Sequence, residues 1–421
     1  MKKRVVITGL GVAAPNGVGI PAFTEAIKAG TSGIRHFPEL ESLQFSCQLG
    51  GIPPVSEEKK RDYFTELQLR NFNSSGILYG VIAGMDALAD ANIEFGGNEP
   101  LWDLGIIFGT GTSGVDKFRE AIYKVDDHKV RRLGSTTVAQ TMASGISAYL
   151  GGKTGAANRV TTNSSACATG TEAILMGYEH IANGNATQML CGSSSDHGPY
   201  VWGGFDAMKV LTYKHNHEPT KASRPMSASA SGFVPGSGAG ALLLESLESA
   251  EQRGATIYAE VLGGHVNSGG QRNGGSMTAP NTEAVKRCIR LAVESSGILP
   301  SEIDYINGHL TATIKDPVEI ENWCDALCRR GADFPYINSL KGMVGHCLAA
   351  SGSVEAVSTV LQMKHGFVFP SINCDDTHPE ISKLIALECI PKKKISAEIN
   401  TAIKASFGFG DVNACVIFRK I

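Results

Sequence analysis

The first apolar run of the chain is "RVVITGLGVAAPNG", from Arg4 to Gly17. Val5, Val6, Ile7, Leu10 and Val12 stand almost unbroken by polar residues until Pro15, Asn16 and Gly17. A short, nearly continuous apolar run closed by turn residues predicts a buried strand. The basic start, "MKKR", imitates a secretory leader. Gly9, Gly11 and Pro15 interrupt the apolar part, however, so a strand and a turn are the better reading. A similar run, "YAEVLGGHVNSGG", begins at Tyr258.

Two longer stretches share one plan. In "TTNSSACATGTEAILMGYEHIANG" (Thr161 to Gly184), small residues give way to a helical pattern. "YINSLKGMVGHCLAASGSVEAVSTVLQMKHG" (Tyr336 to Gly366) does the same. Gly170 and Gly184 are 14 residues apart, as are Gly352 and Gly366, and Glu172-Ala173 and Glu355-Ala356 follow the first glycine of each pair. Each helix leads to an apolar strand with a Gly- or Ser-rich end, "QMLCGSSSDHG" and "TAIKASFGFGDVN". The repeat predicts two similar α/β halves, residues 1–256 and 257–421, joined near Gly254. Ala, Gly and Ser lie on many faces of both helices, which predicts helices buried between sheets. The expected architecture has helices outside, two sheets, and helices between them.

Composition narrows the function. The 421 residues suffice for one large core or two domains of about 200 residues. A net charge of −3 offers no basic surface for nucleic acid. No apolar run approaches the roughly 18 residues that span a bilayer. Ten cysteines follow no framework spacing, which fits reduced thiols in a cytoplasmic protein.

Cys167 stands where the first repeat's helix begins. A helix N-terminus carries free N–H groups and partial positive charge, both of which favour a thiolate. Ser165, Ala166, Ala168 and Gly170 leave room for a substrate. The competing reading is a buried structural cysteine, the commoner fate of this residue. His309 follows an apolar strand, and His346 lies where the second repeat's helix begins. A lone histidine in such a place is more often a packing residue. Two of them at sheet ends, with a cysteine at the matching place in the other half, suggest a site, because strand ends of α/β folds gather functional groups. Gly408 and Gly410 allow a tight turn that can aim N–H groups at an oxyanion.

Cys167, His309, Lys341, His346 and "SFGFG" together resemble the β-ketoacyl-acyl-carrier-protein synthases of the thiolase superfamily. "ASRP" (Ala222 to Pro225), "GFV" (Gly232 to Val234) and "GAG" (Gly238 to Gly240) fit in the same order. The resemblance implies an α/β, thiolase-like fold: two similar βαβαβαββ halves in five layers, α-β-α-β-α. It implies an acyltransferase performing a decarboxylating Claisen condensation. Cys167 takes the acyl group, and the N–H groups of Cys167 and Phe407 form the oxyanion hole. His309 and His346 hold the enolate, Lys341 and Glu355 pair beneath the site, and Asp316 supports it. Thr311 and Thr313 bind the pantetheine arm, Phe407 gates the acyl pocket, and Thr112 lines it. No metal and no covalently bound cofactor are implied. The partners implied are an acyl carrier protein, with its phosphopantetheine arm, and either a second copy of this chain or a chain-length factor, packed around Val138 to Ile146.

The chain departs from the family pattern at Leu310, where Gly is usual, and at Asp411, where "FGFGG" becomes "FGFGD". Ser237 and the segment Met226 to Ala230 differ as well. These departures resemble ketosynthases of specialised pathways, such as those for aryl-polyene or flexirubin-type pigments. Asp411 is accordingly expected either to bond its own turn or to position the His309–Leu310 loop or a polar growing chain. Two rivals are weighed. A non-catalytic chain-length partner would lack Cys167. A nicotinamide-dependent oxidoreductase would need a phosphate loop, and "GLGVAA" (Gly9 to Ala14) is a weak one. "CDALC" (Cys324 to Cys328) falls at helical spacing with Ile320, Trp323 and Leu327, a core stripe and not a metal motif. Arg70, Lys209 and "KVRR" (Lys129 to Arg132) are exposed faces or docking points for an acidic carrier.

Overall fold

The computed structural model describes residues 2–421. The main sheet has eleven strands, of which a two-residue one, Gly17–Val18, only flanks the first. The ten that form its ladder are β1 (Val5–Ala14), β2 (Leu104–Thr110), β3 (Val160–Thr161), β4 (Gln188–Ser195), β5 (Gly238–Ser246), β6 (Ala259–Ser268), β7 (Tyr305–Asn307), β8 (Tyr336–Asn338), β9 (Thr401–Gly408) and β10 (Val412–Arg419). Their order across the ladder is β8-β7-β9-β10-β6-β1-β5-β4-β2-β3. Read outward from the centre, β6-β10-β9-β7-β8 has the same plan as β1-β5-β4-β2-β3. In each five-strand block the inner pairs are antiparallel and the outer ones parallel.

The blocks are not wholly separate sheets, as the repeat had suggested. β1 and β6 pair through Val5–Val261, Val6–Glu260 and Ile7–Ala259. Beyond those three pairs the blocks part, and two helices fill the gap: α4 (Thr169–Ala182) and α7 (Ser351–His365). Each touches strands of both blocks. On the outer faces lie α1 (Ser75–Asp90) and α3 (Gly145–Thr154) against the first block, and α5 (Thr282–Ser295) with α6 (Asp316–Leu327) against the second. The result is the five-layered arrangement that the repeat predicts. A further helix, α2 (Val115–Asp126), lies outside the layers.

Local sequence explains the layers. All ten residues of β1 are buried, as an apolar run without alternation requires. Its glycines are packing residues. A Cβ at Gly9 would overlap the carbonyl of Ala87, and one at Gly11 that of Ala83, so α1 lies directly on the strand. That role replaces the dinucleotide reading of "GLGVAA". In α7, thirteen of fifteen residues are buried, among them Ser353, Ser358 and Thr359, whose hydroxyls bond backbone carbonyls. Of the "CDALC" stripe, Cys324 is buried, but Cys328 is exposed and caps the helix with φ 54°.

Candidate active site

Cys167 lies in a 3-10 turn, Ala166–Ala168, that runs straight into α4. Ala166 holds φ at 49°, a left-handed conformation costly for a residue with a Cβ. Leu348, with φ 52°, opens the matching 3-10 turn, Leu348–Ala350, ahead of α7. The same sharp entry is thus built twice, and only the first copy carries a thiol.

The thiol, His309 and His346 converge. One ligand-type atom from each lies within 4.8 Å of the others. The two imidazole centroids are 5.5 Å apart with their planes crossed at 83°. His346 Nδ1 accepts the N–H of Leu348 at 3.0 Å and lies 3.0 Å from the Ser351 hydroxyl. An Nδ1 that accepts leaves the proton on Nε2, so His346 offers the site a donor and not a metal-binding lone pair. His309 is fixed through its backbone: its N–H donates to Glu319 at 2.7 Å and its carbonyl accepts Lys341 Nζ at 2.6 Å. Burial, followed by the positive charge of Lys341, holds both rings well below the ordinary imidazole range, with Lys404 acting in the same direction. Both are therefore neutral N–H donors at neutral pH.

Beneath the histidines lies a buried charge cluster. Lys341 Nζ is 2.5 Å from Glu355 Oε1, the pair that the family resemblance implies. Lys404 Nζ is 2.9 Å from the other oxygen, Oε2, and also bonds the Ala405 carbonyl and the Ser406 hydroxyl. Ser406 Oγ in turn lies 2.9 Å from Thr171 Oγ1 on α4. Two carboxylates hold the loop after β7. Glu319 accepts the N–H groups of His309 and Leu310, both at 2.7 Å, and Asp316 accepts those of Met226, Thr311 and Ala312. Burial raises Glu319 to about 7 and Asp316 to about 6. Leu310, at φ 24° and fully buried, is held in that loop by these bonds.

A cavity of about 880 Å³ opens onto Cys167, His309 and His346. Thr311 and Thr313 line it, their hydroxyls 3.3 Å apart, as do Phe407, Gly408 and Phe409. Lys209, Lys214 and Lys315, all exposed, stand at its mouth.

Four expectations change. The N–H facing the Cys167 sulfur, besides its own, is that of Phe409 and not Phe407. Phe407 is still paired with Asn413 inside β9, whereas Phe409 follows the last ladder pair, Gly408–Val412, and its N–H is free to turn inward. The Phe407 ring packs between His309 and Trp323. Second, the thiol is not eased toward thiolate. Burial raises it above its ordinary value, and the Phe409 N–H and Lys341 offset this only in part. Third, Thr112 is exposed and lines a different, open groove with Phe118, Ile122 and Tyr200. Fourth, Asp411 is buried and reaches neither the cavity nor the His309–Leu310 loop.

Three residues of the site escaped the sequence reading. Glu319 follows Asp316 by three positions on a helix, a same-face spacing that could have been read. Lys404 breaks an apolar strand, which was a signal. Nothing local told Phe409 from Phe407.

A family model for the β-ketoacyl synthase N-terminal domain matches residues 2–250, and one for its C-terminal domain matches residues 258–375. The chain belongs to the β-ketoacyl synthase family. It is 34% identical to 3-oxoacyl-[acyl-carrier-protein] synthase I, chloroplastic, of Arabidopsis thaliana, over 99% of this chain and 86% of that one. A β-ketoacyl synthase from Burkholderia phymatum superposes with a TM-score of 0.90 at 30% identity, each chain covered in full. The ketosynthase in a type II polyketide synthase complex, bound to its acyl carrier protein and to the hexaketide, superposes at 0.86 with 29% identity, again over 100% of both chains. In this β-ketoacyl synthase chain, the two halves of the site come one from each matched region: Cys167 from the first, His309 and His346 from the second.

Proposed function

We propose that this chain is a β-ketoacyl-acyl-carrier-protein synthase that lengthens a carrier-bound acyl chain by two carbons. The observation that carries the reading is the grouping of one thiol with two neutral imidazoles, within 4.8 Å, at the closed end of a cavity. Cys167 Sγ attacks the acyl thioester carbon, and the N–H groups of Cys167 and Phe409 hold the oxyanion. The carrier's thiol leaves with the proton that Cys167 gives up. A malonyl thioester then loses carbon dioxide. The electrons of the broken C–C bond form an enolate, whose oxygen accepts N–H bonds from His309 and His346. Its carbon attacks the acyl-cysteine carbonyl and forms the new C–C bond. The C–S bond then breaks as Cys167 Sγ leaves as a thiolate, which takes a proton from solvent to restore the thiol.

Neutral imidazoles suit this step, because their bonds strengthen as charge develops on the enolate. The pair Lys341–Glu355, with Lys404, orders the site through the His309 carbonyl, and Asp316 holds the loop bearing Thr311 and Thr313. Those threonines and the mouth lysines fit a phosphopantetheine arm and an acidic carrier protein. Residues 1–256 and 257–421 act as the two units of the catalyst; their identical strand order supports that division. A dimer, with itself or with a chain-length partner, fits the exposed apolar residues Phe118, Ile122 and Val138; Ile146, expected there as well, is buried in the core. No helix is long and apolar enough to cross a membrane among the described residues, in keeping with a cytoplasmic enzyme. The altered turn at Leu310, whose neighbours His309 and Thr311 line the cavity, favours a specialised chain as substrate, and Asp411, outside the cavity, does not bear on it. Of the rival roles, a chain-length subunit is disfavoured by Cys167 itself. Intact mass after incubation with an acyl carrier protein already loaded with an acyl thioester tests the reading: an added acyl group on Cys167 supports it, and an unmodified protein refutes it.

A further inference from the structure

Asp411 has a negligible exposed area and φ 65°, in the turn between β9 and β10. Its carboxylate does not serve that turn. Oδ2 accepts the N–H of Gln271 at 2.9 Å, and Oδ1 accepts that of Asn281 at 2.8 Å. These residues lie near the two ends of one loop, 269–281, which runs from β6 to α5. The backbones are joined as well: Gly269 N–H donates to the Asp411 carbonyl at 3.0 Å, and Gly410 N–H to the Met277 carbonyl at 2.9 Å. The loop makes room for the carboxylate. A Cβ at Gly269 or at Gly275 would overlap Asp411 Oδ2. Asn281 then caps α5 through the N–H groups of Glu283 and Ala284.

Both joined segments face the cavity. The loop lines it with Asn273, Gly274, Thr278 and Pro280, and the turn lines it with Gly408 and Phe409. Phe409, whose N–H faces Cys167, is two residues from Asp411. We propose that Asp411 is a positioning residue that locks the cavity-mouth loop to the oxyanion turn, so that access to Cys167 and the placing of the Phe409 N–H are set together. A buried carboxylate receiving two backbone N–H bonds is a strong anchor. The loop sequence, "GGQRNGGSMTAPN", is too rich in glycine and polar residues to build a core of its own.

The lock itself stands apart from the reaction, but its catalytic consequence rests on the ketosynthase reading. The test therefore has two readouts on D411G, which suits the positive φ, and on D411N, which keeps the volume but turns an NH₂ toward one of the two N–H donors. Amide hydrogen exchange should rise about tenfold or more in residues 269–281 and 406–411 together, since both lose the shared anchor. The rate constant for Cys167 acylation should fall about tenfold or more, short of the 10²–10³ for outright loss of an oxyanion donor. The fall should be alike with an acyl carrier protein and with a small acyl thioester. Exchange that rises in only one segment, or stays as in the wild type in both variants, overturns the lock. Raised exchange with unchanged acylation overturns its catalytic consequence. A wild-type protein that is not acylated at all would instead refute the ketosynthase reading, while the exchange readout still decides the lock.

Discussion

Gly170 of α4 and Gly352 of α7 lie backbone to backbone at the centre of the molecule. A Cβ at Gly352 would stand 2.5 Å from the Thr171 nitrogen and 3.1 Å from the Gly170 carbonyl carbon; one at Gly170 would strike the Ser353 nitrogen. The relation is reciprocal, as the matching places of the two glycines in the repeat require. The crossing brings the turn bearing Cys167 against the turn that follows His346. Neither helix can recede, since each is wedged between the two blocks of the sheet.

Gly352→Ala should therefore be more damaging than one methyl suggests. Backbone clashes cannot be relieved by a rotamer change, so a loss of about 3 kcal/mol or more is expected, at the upper end for overpacking. Chemical denaturation measures it. A loss under about 0.5 kcal/mol, the range of neutral surface changes, would show that the helices can part.

Cys167→Ala should abolish acylation. Cys191 and Cys347, the other thiols in the two repeated stretches, are buried, and burial raises both far above their ordinary value. An acyl adduct that survives in the variant, seen by intact mass, would move the nucleophile elsewhere.

His309→Ala and His346→Ala should lower condensation by about 10²- to 10³-fold, the usual cost of a donor to a developing oxyanion, and leave acylation of Cys167 largely intact. Rapid-quench mass analysis separates the steps. A variant impaired chiefly at acylation would contradict the enolate role of its histidine.

The pH dependence has a defined sign. Both histidines are held below the ordinary value of about 6.5, so the folded protein stays unprotonated there while the unfolded chain binds protons. Stability from this source is complete above about pH 6.5 and declines as pH falls below it. The histidines should likewise give condensation no limb at about pH 6.5, only one at lower pH. Glu319 and Asp316, raised to about 7 and about 6, are the groups that titrate in that window, and Glu319→Gln and Asp316→Asn remove their contribution. Lys404→Met removes a nearby positive charge and should move the low-pH limb to higher pH. A limb at an ordinary imidazole value that survives both carboxyl substitutions, or a low-pH limb unmoved in the Lys404 variant, would contradict this electrostatic picture.

Much of this was legible because it is local or repeated. The 14-residue glycine spacing marked α4 and α7 and their pseudo-symmetry before any coordinates. The apolar run from Val5 marked the central strand. Cys167, His309 and His346 were readable because each sits at a strand or helix end, where side chains are not absorbed by packing. The identity of the Lys341–Glu355 pair came from family resemblance. Other features depend on which groups approach through space. Whether Phe407 or Phe409 presents its N–H turns on where the β9 ladder ends, and ladder pairing is a long-range property. Asp411 was visible as an unusual residue at a left-handed turn, but its partners lie 130 and 140 residues away, so its loop could not be named. Thr112 fell outside the cavity because an exposed turn residue follows the surface of the assembled layers, not its own sequence. Lys404 was only an odd charge in a strand until α7 placed Glu355 against it. Sequence determines periodicity, turn conformation and the chemistry on offer. Tertiary structure decides which of those groups are desolvated together, and desolvation is what makes the thiol, the imidazoles and the buried carboxylates behave as they do.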